Sequence, residues 1–191
     1  MPEGDTVWRA AARLRAALEG HELTRTDFRV PQHATLDLSG HVVDAVLSRG
    51  KHLLIRVADQ SIHTHLKMEG VWDVHPRGTR WRRPDHTARL VLQTATHEAV
   101  GFSLGVTEVV PTAREHDVVG HLGPDLLGAP GAEGGWDPDE AVRRVEAAPE
   151  RAVFLALLDQ RNLAGLGNEY VNELLFVLGL HPERPVSALA I

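Results

Sequence analysis

Apolar residues in the first twenty positions fall at Val7, Ala11, Leu14 and Leu18, one face of a 3.6-residue period, with Arg9, Arg13 and Arg15 off that stripe. Asp5 or Thr6 offers a cap oxygen before this pattern and Gly20 a stop after it, so a helix is predicted over 5–19. From about residue 22 the pattern shortens into strand-sized pieces at 22–30, 41–48, 52–58, 61–66, 70–75, 88–94, 98–105 and 107–110. Gly, Pro, Asp and Ser separate them, as in an antiparallel sandwich or barrel. Residues 123–140 are dense in Gly and Pro and end in Asp137-Pro138, a cap followed by a helix-opening proline. Helical periodicity then covers 138–147, about 150–160 and 168–178, the last two joined by the glycine-bearing turn 161–167. Residues 185–191 read as the beginning of another helix. The expected class is α+β: an N-terminal helix with an antiparallel β-sandwich over 1–122, a hinge at 123–137, and a helical unit over 138–191.

Composition adds exclusions. In 191 residues, 43% apolar and 24% charged content suits a folded domain able to bury a core. No apolar run approaches a membrane span, and the charged, amphipathic opening does not resemble a signal peptide. With no cysteine there is neither a disulfide framework nor a thiolate metal site, and a cytoplasmic location is the default expectation. The net charge of −6 is uneven: residues 1–100 hold 14 Lys/Arg against 12 Asp/Glu, residues 101–191 hold 6 against 14. Within the first half, Arg77-Gly-Thr-Arg80-Trp81-Arg82-Arg83 is locally basic, which fits either a solvated loop or a phosphate contact.

Four pieces carry candidate chemistry. Pro2-Glu3-Gly4 offers, once Met1 is removed, a secondary amine beside a carboxylic acid. An α-amino group titrates near 7.7–8.0, and a helix starting just after it favours the neutral, nucleophilic form and attracts anions. Such an amine attacking a sugar carbon gives an iminium, an electron sink for elimination, with Glu3 placed to move protons. Taken alone, a Met-Pro start is also ordinary. Lys51 follows a turn glycine into an apolar strand, which equally describes a hairpin-end lysine. His63 and His65 share a strand face where imidazoles can bind a metal, with His86 a further candidate ligand, or can be satisfied or DNA-facing histidines. Finally, Leu157-LDQRNLAGLGNEYVNELL-Phe176 places a glycine turn before a helix opened by Asn168, offering amides to a phosphate.

In combination, MPEG at the start, RGKHLL, HLKMEG, HLGPDLL and LLDQRNLAGLGNEYVNELLF, in that order, resemble the formamidopyrimidine-DNA glycosylase and endonuclease VIII family of base-excision repair. The similarity spans nearly the whole chain and runs closest to the actinobacterial endonuclease VIII branch. It implies that Pro2 attacks C1′ of the damaged nucleotide, that Glu3 is the general acid/base, and that Lys51, His65 and Asn168 contact phosphates around the lesion. It implies that Met68 is the wedge that fills the gap left by a flipped base, although the residue alone also reads as core. The partner implied is double-stranded DNA containing oxidised bases or abasic sites, bound by a monomer.

Two departures shape the expected activity. The stretch 101–110 has no arginine where the guanine-repair branch carries one, which favours oxidised pyrimidines; Asp5-Thr6 stand where Pro-Glu is usual. The family's zinc finger, or its zincless hairpin, is not expected in this cysteine-free chain, so no metal or other cofactor is expected. The leading expectation is a bifunctional glycosylase and AP lyase acting through a Schiff base on Pro2 and β,δ-elimination. The alternative is a lesion- or abasic-site-binding domain with weak or no turnover for want of that C-terminal clamp.

Overall fold

The computed structural model describes residues 2–189. Helix α1 (Gly4–Leu18) buries Val7, Ala11, Leu14 and Leu18 as their spacing requires, with Ala10 and Ala17 widening the stripe. It begins one residue before the expected cap. Glu3 occupies the cap position in extended conformation, and neither Asp5 nor Thr6 caps the helix. The Thr6 hydroxyl donates to Asp5, whose carboxylate accepts from Arg9. Gly20, at φ +76°, lets the chain turn out of the helix so that its N–H reaches Val43 O at 2.9 Å.

Eight strands follow: β1 (Arg25–Phe28), β2 (Val43–Arg49), β3 (His52–Val57), β4 (Gln60–His65), β5 (Val71–Pro76), β6 (Ala88–Gln93), β7 (His97–Phe102) and β8 (Val106–Pro111). They form two antiparallel four-stranded sheets, ordered β2-β3-β4-β8 and β1-β6-β7-β5. Val46, Leu53, Ile55 and Ile62 of the first sheet meet Phe28, Leu90, Leu92 and Trp72 of the second, and α1 packs against both. This sandwich is the expected fold.

In the second sheet, β5 and β6 both pair antiparallel to β7, so they run in the same direction. Residues 77–87 must therefore cross the length of the sheet to enter β6. They do so over its outer face, where Trp81 covers Ala88, Val91, Val100 and Phe102.

The chain then forms α2 (His116–Val119), a stretch without helix or strand to Asp137, α3 (Pro138–Glu146), α4 (Val153–Leu158) and α5 (Asn168–Val177). Asp137 accepts from Glu140 N–H at 3.0 Å and Pro138 opens α3, as the sequence predicts. Helix α4 is shorter than its apolar pattern at both ends. Ala152 is drawn into a bridge with Pro185, and Asp159 leaves the helix to accept from Arg161 N–H. Residues 186–188 make a single 3₁₀ turn rather than the start of a longer helix, with Val186 N–H bonded to Arg151 O; residues 190 and 191 of that expected helix lie outside the described residues. Among the described residues no helix is long and apolar enough to cross a membrane.

Candidate active site

The extended backbone at Glu3 turns its side chain away from its own helix and into the start of another. Glu3 is 2% exposed, and its carboxylate accepts from Gly167 N–H at 2.6 Å and Glu169 N–H at 2.8 Å. These are the amides that α5 leaves without intrahelical partners, so the carboxylate sits where the helix dipole is positive. One residue on, Gly4 N–H bonds Gly165 O at 2.9 Å, and a Cβ on Gly4 would fall 2.9 Å from the Gly165 Cα. Glycine at position 4 is thus what lets the first turn of α1 lie against the 164–167 turn. Pro2, half-buried, is held beside Glu3 by this contact.

Lys51 reaches the same place from the sandwich. Arg49 pairs with His52, so Gly50-Lys51 is a two-residue hairpin loop, with Gly50 at φ +56°. A methyl group on Gly167 would lie 2.5 Å from the Glu3 carboxylate and 2.8 Å from Lys51 Nζ, which places the ammonium and the carboxylate around one bare backbone position. Burial lowers the Lys51 pKa, and Glu3 partly restores it. Asp125, 3% exposed, fixes this hairpin to the linker: its carboxylate accepts from Gly50 N–H at 2.7 Å and Leu127 N–H at 3.1 Å. Leu126 N–H donates to Ala164 O and Ala164 N–H to Pro124 O, and Gln160 ties off the turn through Gly165 N–H and Leu166 O. The segment expected as a hinge is therefore tied on both sides.

Beside Lys51 lies a row of imidazoles. His52 Nδ1 is 2.7 Å from His63 Nε2, and His63 Nδ1 is 2.6 Å from Glu108 Oε1. His52, His63 and Glu108 thus form one hydrogen-bonded chain across β3, β4 and β8. His65 meets the His52 ring edge-on at 4.9 Å and His121 does so at 6.1 Å. Burial, then the neighbouring His63, His65, His121 and Lys67, pushes the His52 pKa down to about 3; burial, then Lys67, His63 and Lys51, pushes His65 to about 4. Both nitrogens of His63 are thus engaged, and His86 lies in the turn entering the other sheet. Among the described residues no three His, Asp or Glu group so as to hold a metal ion.

His65 Nδ1 accepts from Lys67 N–H at 2.9 Å, shaping the loop that follows β4. Met68 on that loop is 67% exposed, so it is not core. The connection 103–105, which carries no arginine, is tied to the same sheet end by Gly105 N–H to His65 O. Asn168 is exposed at the first position of α5, beside the amides that hold Glu3.

A family model for the formamidopyrimidine-DNA glycosylase N-terminal domain matches residues 1–103, and one for the same enzyme's H2TH domain matches residues 130–191. The chain belongs to the formamidopyrimidine-DNA glycosylase family. A relative called probable endonuclease 8 2, from Streptomyces coelicolor, is 53% identical over 191 residues, covering 99% of this chain and 67% of its own length. One from Mycolicibacterium smegmatis, called DNA-(apurinic or apyrimidinic site) lyase Nei2, is 53% identical over 189 residues, covering 99% and 71%. The fold is shared with Lactococcus lactis formamidopyrimidine-DNA glycosylase, solved non-covalently bound to DNA containing an AP site. The TM-score is 0.79 at 22% identity, covering 98% of this chain and 73% of that one.

In this member of the family, then, Pro2, Glu3, Lys51 and the start of α5 converge, and His65 and Met68 belong to the adjoining end of the first sheet. Sequence reading did not find Asp125, Gln160, His52, Glu108 or the part played by Gly167. His52, Asp125 and Gln160 each fall inside a stretch that carries the resemblance (RGKHLL, HLGPDLL and LLDQRNLAGLGNEYVNELLF), but their partners are distant in sequence.

Proposed function

We propose that Pro2, freed by removal of Met1, is the nucleophile of this base-excision-repair DNA glycosylase and AP lyase. Its secondary amine attacks C1′ of the damaged nucleotide as the glycosidic bond breaks and the base departs with a proton; the amine gives up its own proton, the C1′–O4′ bond opens with a proton to O4′, and the resulting iminium lowers the barrier to loss of the 3′ and then the 5′ phosphate by β,δ-elimination. The supporting observation is the Glu3 carboxylate: adjacent to Pro2, buried, and fixed by two amide donors with Lys51 Nζ nearby. A carboxylate so placed moves protons between the sugar oxygen, the amine and the leaving base without having to be ordered first. Lys51, His65 and Asn168 take phosphates around the lesion, and Met68 enters the stack where the base has left it. The stretch 101–110, which holds no arginine, supports a preference for oxidised pyrimidines. The chain acts as a monomer on double-stranded DNA and needs no metal for these steps.

The test is borohydride trapping on duplex DNA containing an abasic site. The processed chain is expected to form a covalent adduct, and both Pro2→Gly and a form retaining Met1 are expected to form none. Binding to abasic duplex without an adduct from the processed chain would leave the binding-domain alternative standing. An adduct from the Met1-retaining form would remove Pro2 as the nucleophile.

A further inference from the structure

The segment that crosses the outer face of the second sheet is arginine-rich well beyond anything the site uses. Residues 77–89 contain five arginines and one acid, in a chain whose net charge is −6. The segment is firmly held. Trp81 Nε1–H donates to Glu98 at 2.6 Å, its ring meets Phe102 edge-on at 5.5 Å, and the Arg29 guanidinium lies 5.2 Å above it. Thr79 and Thr87 hydroxyls donate to Pro76 O and Pro84 O, both at 2.7 Å, and Arg83 pairs with Asp73 at 3.0 Å. Arg89 donates to His86 O at 3.0 Å. These bonds hold the segment to the sheet but leave three of its guanidiniums out. Arg77, Arg80 and Arg82 are exposed and have no side-chain hydrogen bond or ion pair among the described residues.

Three unpaired guanidiniums within six residues of a held segment concentrate positive potential along one strip of surface, which attracts polyanions. Arg80 and Arg82 flank Trp81 along a surface groove of about 600 Å³ that also includes Thr79, Arg83, Pro84 and Asp85. The segment runs from the far end of the sheet, where Arg77 N–H bonds Thr96 O, to the end that carries Met68, where Ser103 N–H bonds Thr87 O. Trp81 is not available as a stacking platform for an unpaired base: one face carries Arg29 and its edge is committed to Phe102 and Glu98. Arginines spaced along a rigid strip without an open aromatic face fit the phosphates of a double helix better than single-stranded nucleic acid.

We propose that Arg77, Arg80 and Arg82 form an auxiliary phosphate-binding strip that takes the backbone of undamaged duplex DNA, separately from the Pro2–Glu3 site. This contact carries no sequence information and adds to the affinity for long DNA.

The test uses the full chain and a variant with Arg77→Gln, Arg80→Gln and Arg82→Gln together, with Arg80→Glu alone as a second variant. Binding to an undamaged duplex of about 30 base pairs is measured across a salt series, and borohydride trapping is measured on an abasic duplex of about 12 base pairs. The triple variant is expected to lose about 2–3 from the slope of log K against log salt, close to 0.9 per lost phosphate contact. Its affinity for the long duplex should fall at least tenfold at about 0.1 M salt, while trapping on the short duplex and the melting temperature stay at wild-type values. Arg80→Glu should move in the same direction. An unchanged slope, an equal loss on short and long DNA, or a matching affinity of the wild type for single strands or for polyglutamate each overturns the proposal. Trapping reports the Pro2 chemistry separately, so if that chemistry fails the duplex titration still decides whether the strip binds DNA.

Discussion

Glu3 does at residue scale what no neighbour in sequence explains. A carboxylate at the start of a helix ordinarily caps that helix, yet this one caps α5, more than 160 residues away. Replacing it with glutamine preserves one acceptor but presents an amide N–H to a backbone donor and removes the proton carrier. Glu3→Gln is expected to slow base release in single-turnover excision assays by about 10²–10⁴-fold, the range for lost general acid–base catalysis. Met68 makes the converse case. Being 67% exposed, Met68→Ala should leave the melting temperature unchanged while slowing excision from duplex DNA, with cleavage of a single-stranded abasic substrate little affected. The imidazole row gives a pH dependence whose sign follows from burial. Unfolded chain protonates His52 and His65 near pH 6.5, whereas the folded chain keeps them neutral down to about 3 and about 4. The unfolded state therefore binds more protons across that window, and stability falls as pH drops from 6.5 toward 4. Thermal melts at stepped pH should show this fall, and His52→Gln should flatten it.

At the scale of elements, the site depends on a glycine that closes the turn before α5. A methyl group at Gly167 would overlap the Glu3 carboxylate at 2.5 Å and crowd Lys51 Nζ at 2.8 Å. Gly167→Ala is therefore expected to cost about 1–3 kcal/mol, the usual range for overpacking, and to abolish trapping, because the carboxylate must move off the α5 amides. A variant that melts like wild type and traps normally would show that α5 does not hold Glu3 in the active form. The order of elements was readable from the chain because periods of two and 3.6 are local properties, and strand limits deviate by only a few residues. What local pattern misread were the ends. α4 stops short because Ala152 and Asp159 find partners elsewhere, and α1 starts early because Glu3 is drawn toward α5.

At the scale of the molecule, α1, the β2–β3 hairpin, the linker and the turn before α5 are joined by hydrogen bonds that converge on a few backbone groups. Asp125 is central to this: its buried carboxylate accepts from Gly50 N–H in the interior and from Leu127 N–H nearer the surface. Asp125→Ala strands the buried Gly50 donor and is expected to cost about 2 kcal/mol, a fall of roughly 4–8 °C in melting temperature for a chain of this size. Hydrogen exchange should show Gly4, Gly50, Gly167 and Glu169 amides losing protection together in that variant, while the strand-centre amides of Ile55 and Val100 keep theirs. Independent behaviour of the four amides would mean the sandwich and the helical unit are not coupled through Asp125.

Helical and strand periodicity, the glycine turns and the motif order identified this chain's class and its family, because each depends on residues close together in sequence. Only tertiary structure decided that Glu3 is held by α5, that Asp125 secures the hairpin carrying Lys51, that His52 joins His63 and Glu108, and that three arginines lie unpaired along a rigid crossing. Those are distances between segments separated by tens to more than 160 residues, and a buried carboxylate or guanidinium acquires its role from whichever donors and charges the fold places beside it.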